Sequence, residues 1–399
     1  MAGLSAATRL IRAQDVTLRF RSDGQVLVEA GGSQRLAGAE AIRMLDLLAQ
    51  PRTLSWLQEQ FAGGGVQQWM NTTAVIVDLH KSGAILDADA AAPALPARAQ
   101  GFDSQRIHLR MLNDRTRTSR YLDAIAQVVR PDDVVCDIGT GSGILALAAA
   151  RAGARHVYAV EAGHIGEVAR EMFAANGYSS RITLIRGRST AVELPERANV
   201  LVSEIIGNEP LGENIVQTLA DARRRLCTPE LRQIPRRMDV VGLPVMIPGK
   251  TRRERQITRS AAASWRDWYG FDFGPLAAAA DGQVPEFTLD PRAASGWPAV
   301  AGPVVLARLE LGDTLPLAIN NCVEFAVSRD GRLDGLVVSF RAELADGIEL
   351  TSTPGDAAAD CSWKVPVTIM VAPVKVKRGD RFAIHYAGQG GPPKIERRP

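Results

Sequence analysis

The period of the hydrophobic positions changes along the chain, and each change marks a boundary. VTLRF and QVLVEA alternate apolar and polar residues on either side of Ser22-Asp23-Gly24, a turn sequence, which predicts two strands. Ile42, Leu45 and Leu48 then recur at helical spacing. Thr53 stands where it can cap a second helix carrying Leu54, Leu57 and Phe61 on one face. Trp69, Val75, Ile76 and Leu79 mark a third helix, which stops near Ser82-Gly83 before a short strand, AILDA. A hairpin, three helices and a closing strand predict a small winged-helix-like domain over residues 1–88. The Ala/Pro-rich stretch 89–101 has no useful period and reads as a linker.

Residues 102–240 alternate strands with helices. VVCDI, HVYAV, ITLIR and ANVLVSEI are short β-branched runs, and LALAAARAG and IGEVAREMFAANG are helical. That order predicts a parallel, Rossmann-like sheet with helices on both faces. From 241 to 399 the strand candidates VVLARLEL, VEFAVS, GLVVSFRAEL, VPVTIMV and RFAIHYA follow one another without long helices, so an antiparallel sandwich or barrel is expected. SWRDWYGFDFGPLAAAADGQ interrupts them and reads as a protruding insertion, centred on residues 264–280. The expected fold class is α/β + β: a winged-helix-like domain, a Rossmann-like domain and a C-terminal β-barrel.

Composition narrows the function classes. At 399 residues, 46% hydrophobic and 23% charged, the chain is ordinary globular protein with room for more than one core. No apolar run approaches the ~20 residues of a membrane span. The start, MAGLSAATRLIRAQD, has no apolar signal core, so a cytoplasmic protein is expected. The net charge of +3 does not imply nucleic acid. The four cysteines lie far apart without a CxxC or Cys/His cluster, so no metal site is expected.

Candidate chemistry begins at Asp137-Ile-Gly139-Thr-Gly141-Ser-Gly143, which follows a strand and opens a helix. Glycines there let a ligand approach the backbone, and the helix N-terminus offers free N–H groups. Glu161 ends the next strand, 18 residues after Gly143, where a carboxylate can accept hydrogen bonds from both ribose hydroxyls. Strand, GxGxG, helix, strand, acid resembles the class I methyltransferases that bind S-adenosylmethionine. The alternative is a tight turn beside a surface glutamate.

A second concentration follows the fourth strand of that domain: Ser203-Glu204-Ile-Ile-Gly-Asn-Glu209-Pro-Leu-Gly-Glu213. Three carboxylates at the C-terminal end of a sheet strand sit where open α/β sheets bind ligands. A planar, permanently charged guanidinium suits a pair of flanking carboxylates. Glu204 and Glu213, nine residues apart, match the spacing of the double-glutamate loop of the protein arginine methyltransferases, and at this point the sequence resembles that family. IHLRMLNDRTRTSRY at 107–121 looks like the family's cofactor-covering segment, SWRDWYGFDF like its dimerisation arm, and Cys361-Ser362-Trp363 stands at its Thr-His-Trp loop. VVCDIGTGSGIL, RSTAV at 188–192, RANVLVSE and the acid at Glu209 are closest to the monomethylating branch.

The resemblance implies S-adenosylmethionine as cofactor, held by Arg117, Asp137, Gly139, Gly141, Gly143, Glu161 and Thr190. It implies Glu204 and Glu213 as catalytic residues, with Glu209, Met111 and Trp363 binding the substrate, and a homodimer joined through the arm. The glutamates would draw positive charge toward the held nitrogens, leaving the target nitrogen more nucleophilic; positioning and electrostatics carry the rate. None of the five histidines is expected as a general base, and His108 is expected to pack at the cofactor lid. Two departures stand out. Ile205 and Ile206 replace the aromatic and Met residues common in the loop, and Ser362 replaces the family histidine, so its ion pair to an acid, here Asp114, cannot form.

The N-terminal module is similar in element order to the leader-peptide-binding domains of peptide-modifying bacterial enzymes. That implies a precursor peptide as substrate, paired with an edge strand. A structural or dimerising role and DNA binding are the rival readings; the third helix, with one lysine, disfavours the last. Two functional alternatives to arginine methylation remain: methyl transfer to another peptide side chain or terminus, and a catalytically silent scaffold that binds a peptide partner.

Overall fold

Two units divide the chain between Ser104 and Gln105. The structure is a computed structural model. It describes residues 5–13, 16–21, 25–30, 33–38, 40–61, 65–88, 104–311, 315–316, 318–388 and 391–399. In the first unit β1 (Arg9–Arg12), β2 (Thr17–Phe20), β3 (Val26–Ala30) and β4 (Ser33–Ala37) precede α1 (Glu40–Leu47). The two-residue strand β5 (Arg52–Thr53), α2 (Leu54–Gln60), α3 (Gly65–Lys81) and β6 (Ile85–Asp87) follow. The strands form two antiparallel sheets, β2-β3-β4 and β5-β1-β6. Thr53 caps α2 as its position suggests, its Oγ1 accepting the Trp56 N–H at 3.2 Å. Val26, Met44, Leu45, Leu57, Ile76 and Leu79 form the core. β1 was not legible in the pattern, because RLIR carries two apolar residues, yet it is the central strand of its sheet and Leu10 is fully buried. The Ser22–Gly24 turn, the 89–101 linker and the Trp69 side chain lie outside the described residues.

The second unit opens with α4 (Gln105–Asn113) and α5 (Arg115–Val128). A strand–helix alternation follows: β7 (Val134–Ile138), α6 (Ile144–Arg151), β8 (His156–Glu161), α7 (Ile165–Ala175) and β9 (Ile182–Arg186). β10 (Ala198–Ser203), α8 (Ile215–Arg225) and β11 (Cys227–Ile234) complete it. The five strands are parallel in the order β11-β10-β7-β8-β9. The chain runs outward from β7 through β8 to β9, then returns to lay β10 on the other side of β7. The crevice at the C-terminal ends of β7 and β10 is therefore the switch point where such sheets bind ligands. β11 leaves no signal in the hydrophobic pattern because CTPELRQI is largely polar; as an edge strand it tolerates Pro229 and exposes Pro229 and Glu230.

The remainder comprises β12 (Arg237–Val245), α9 (Gly249–Arg255), α10 (Arg259–Tyr269), α11 (Gly274–Ala279), β13 (Glu286–Leu289), α12 (Pro291–Ser295) and β14 (Val304–Glu310). Then come β15 (Asn320–Ala326), β16 (Gly331–Ala345), β17 (Ile348–Thr351), β18 (Val365–Val376), β19 (Arg381–Ala387) and β20 (Lys394–Arg397). Pairing gives two antiparallel sheets, β13-β18-β16-β12-β14 with β17 on β16, and β15-β19-β20. Of the sandwich or barrel expected, the strand pairing gives two separate antiparallel sheets and no closed barrel: among the described residues the edges β13 and β14 have no further strand partner. The two sheets are joined by packing instead. Phe340 and Phe382, one from each, belong to the same buried cluster as Leu201 and Ile234 of the parallel sheet. The insertion is helical, α10 and α11, and leaves Trp268, Tyr269 and Phe271 61–71% exposed. No helix among the described residues is long and apolar enough to cross a membrane.

Candidate active site

The turn from β7 into α6 carries Gly139, Gly141 and Gly143, all at positive φ. All three are crowded as well, a Cβ on Gly139 meeting Ile205 of the glutamate loop at 2.9 Å. A Cβ on Gly143 would meet the Phe173 ring at 2.5 Å, and one on Gly141 would meet His108 Cε1 at 3.0 Å. Side chains are thus excluded, and the backbone is bare where α6 presents its first N–H groups. His108, buried on α4, lies against this turn, so α4 covers it. Glu161 reaches the same place from β8. Its Oε2 accepts the Gly141 N–H at 2.9 Å and its Oε1 the Gly163 N–H at 2.7 Å. One acceptor direction on each oxygen stays open for a ligand hydroxyl. Asp137, fully buried, holds Thr140 Oγ1 on Oδ2, and burial pushes its carboxyl up to about 7. Thr190 stands exposed beyond β9, apart from these contacts.

Across the crevice, the loop after β10 carries the acids. Glu204 Oε2 forms an ion pair with the Arg117 guanidinium, and its Oε1 accepts the Ile206 N–H at 3.2 Å. Arg117 sits in the first turn of α5, which Asp114 caps by accepting the Arg117 N–H at 2.9 Å. The same guanidinium lies 5.4 Å over the Trp363 ring. Glu213 is half-buried and has no hydrogen bond or ion pair among the described residues. Burial first, and the Glu204 charge second, push its carboxyl up to about 7, against the opposing pull of Arg117. The arrangement is one carboxylate already serving a cation, beside a second carboxylate that a cation would draw into its charged form.

Glu209 behaves differently from its neighbours. Tyr386 donates its O–H to Oε1 at 2.5 Å, and the Leu211 N–H donates to Oε2 at 2.9 Å. Both oxygens of the acid expected to bind substrate are turned to the protein. Trp363 is buried, donates its indole N–H to Ile206 O at 2.8 Å and meets Phe340 edge-on at 4.8 Å, so it anchors the loop. Met111 is half-buried near the end of α4. Asp114 Oδ2 accepts the Ser362 N–H at 2.7 Å, so the segment that lacks the family histidine is still tied to α5, through its backbone. Asp360 accepts the Thr116 N–H at 3.0 Å beside it. Tyr121, buried on α5, donates to Ser203 O at 3.1 Å and so supports the end of β10. Tyr386 and Asp360 carried no sequence signal: each acts on a partner more than 170 residues away.

Comparison with known proteins agrees with this geometry. The family model described as ribosomal protein L11 methyltransferase (PrmA) matches residues 114–228, the α5-to-β11 segment. The chain is 32% identical to the probable histone-arginine methyltransferase 1.3 of Arabidopsis thaliana over 299 residues, 70% of this chain and 53% of that protein. It thus spans about half the length of that relative. The arginine N(omega)-methyltransferase of Streptomyces achromogenes subsp. streptozoticus is 32% identical over 294 residues, 70% of this chain and 75% of its own. Among solved structures, the Trypanosoma brucei PRMT1 enzyme–prozyme heterotetramer with AdoHcy superposes with a TM-score of 0.62 at 25% identity, covering 72% of this chain and 88% of that one. With the paired glutamates, the glycine turn and this extent of identity together, the chain belongs to the protein arginine methyltransferase family.

Proposed function

We propose that the chain is an S-adenosylmethionine-dependent N-methyltransferase that acts on the guanidinium of arginine. The observation that carries this is Glu213, an unpartnered, half-buried acid held beside Glu204 and short of a cation. The bare turn at Gly139–Gly143 and the two open acceptor directions of Glu161 fit a nucleoside cofactor, which when bound supplies an activated sulfonium methyl. Arg117, which is paired with Glu204 and lies over Trp363, is the residue we assign to the cofactor's carboxylate. Glu204 and Glu213 hold the acceptor guanidinium and fix which nitrogen faces the crevice. By localising positive charge on the nitrogens they touch, they leave the other more nucleophilic, and Glu213, with its carboxyl near 7, is suited to take the proton lost. Glu209, fastened by Tyr386, keeps the loop between them in place.

The acceptor we infer is an arginine in a precursor peptide. The first unit, with its edge strands β2 and β4, is suited to add a peptide strand. The exposed aromatics of α10 and the following turn support a homodimer, since such a patch is rarely left in water. The test is intact-mass analysis of an arginine peptide and of free arginine after incubation with S-adenosylmethionine. An increment of one methyl on the arginine peptide, absent from its Arg→Lys control, supports the reading. Methylation of the lysine control at an equal rate sinks it.

A further inference from the structure

Residues 105–120, the stretch that forms α4 and the start of α5, contain five arginines and one aspartate. Arg106, Leu109, Arg110 and Asn113 are spaced i, i+3, i+4, i+7 and share one exposed face of α4. That face is one wall of an open groove of about 390 Å³ whose other wall is the segment 360–362. Arg110 bridges the walls by donating to Ser362 O. The Arg106 guanidinium in the groove wall is exposed and has no hydrogen-bond or ion-pair partner among the described residues; those of Arg115 and Arg120, on α5 outside the groove's lining, are likewise exposed and unpaired. The groove's one acid, Asp360, already serves the N–H of Thr116 at the start of α5. Both walls lead to the acceptor clamp. α4 carries Met111 and hands over to the helix bearing Arg117, and Ser362 precedes Trp363, which is bonded to Ile206 of the glutamate loop.

Two arginines in the groove wall, Arg106 unpaired and Arg110 holding only a neutral carbonyl, repel a cationic chain and suit carboxylates, which guanidinium groups hold in a planar fork. We propose that this groove receives an acidic flank of the acceptor peptide, so that the protein selects arginines lying within a few residues of aspartate or glutamate. The proposal rests on the arginine-methyltransferase reading and adds the substrate class to it. Contacts remote from the reacting nitrogen that persist through the reaction act on KM rather than kcat.

The experiment uses the full chain and peptides of one length that carry a single arginine flanked by aspartates, serines or lysines. The aspartate peptide should have a kcat/KM about ten-fold above the serine peptide, the scale of two exposed ion pairs, and the lysine peptide should fall below both. The preference should reside in KM and shrink as salt is raised toward about 1 M, where charges are screened within ~3 Å. Arg106→Glu should reverse the order of the aspartate and lysine peptides, and Arg106→Lys should preserve it. Equal rates on all three peptides, a preference for lysine, or transfer confined to free arginine would overturn the groove and leave the arginine reading standing. Arg106→Glu that dissociates a dimer while keeping the aspartate preference also overturns it, assigning the face to a second copy. A cofactor-bound chain that methylates neither free arginine nor any of the peptides would overturn both.

Discussion

Replacing Glu213 by glutamine should make the protein more stable above neutral pH while disabling it. Glu213 is half-buried, has no partner among the described residues and faces the Glu204 charge. Its carboxyl is pushed from the ordinary value of 4.5 to about 7. Because the folded pKa is the higher one, the fold favours the protonated acid. Below about 4.5 both states are protonated and glutamine changes little; between about 4.5 and 7 the unfolded chain ionises while the folded acid keeps its proton, so the wild type loses stability across that window, and above 7 the difference from glutamine is constant. The gap of roughly 2.5 units sets a ceiling of about 3.4 kcal/mol at 1.36 kcal/mol per unit. Partial exposure reduces this to about 1–2 kcal/mol. Thermal unfolding of wild type and Glu213→Gln at about pH 5 and pH 8.5, without ligands, reads the difference. A higher midpoint for the glutamine variant at the alkaline pH, closing toward acid, is expected. A variant that is less stable at the alkaline pH, or offset equally at both, refutes the reasoning. The same titration appears in rate: kcat/KM should fall as pH drops through about 7, because the clamp loses a carboxylate. A bound guanidinium favours the ionised form, so the corresponding limb in kcat should lie at lower pH.

Three further outcomes follow from named contacts. Glu161→Ala should weaken S-adenosylmethionine and S-adenosylhomocysteine binding by about 1.5–3 kcal/mol in calorimetry, and unchanged affinity would remove Glu161 from the cofactor site. Glu204→Gln should cost at least about 10²-fold in methylation, whereas Tyr386→Phe, which deletes the hydrogen bond to Glu209, should cost about ten-fold with cofactor affinity intact; single-turnover assays separate the two, and equal losses would put Glu209 in the clamp itself. Light scattering at tens of micromolar should give a dimer that Trp268→Ser with Phe271→Ser converts to monomer, and a wild-type monomer there argues against the arm as an interface.

Local pattern determined more of this protein than its length suggests. Thr53 capping α2, the strands β7 to β10, the glycine turn and the paired glutamates are readable because each depends on residues within a few positions of one another. Glu204 and Glu213 are legible at the mouth of the sheet because their loop follows directly on a parallel strand, and the family resemblance singles them out as a pair. Short or polar strands escape the pattern: β1 is held by pairing with β6, more than 70 residues away, and β11 by pairing with β10, rather than by their own alternation. Packing between segments distant in sequence settles which of the three loop acids stays free for a cation. Glu209 is taken up by Tyr386, 177 residues away, Glu204 by Arg117, and the loop itself is pinned by Trp363, 157 residues from Ile206. Three carboxylates that look alike in sequence thereby acquire different surroundings and partners. The packing of the antiparallel sheets against the parallel one brings Tyr386 and Trp363 to the loop, and a carboxylate's ionisation follows from what burial and that packing place beside it.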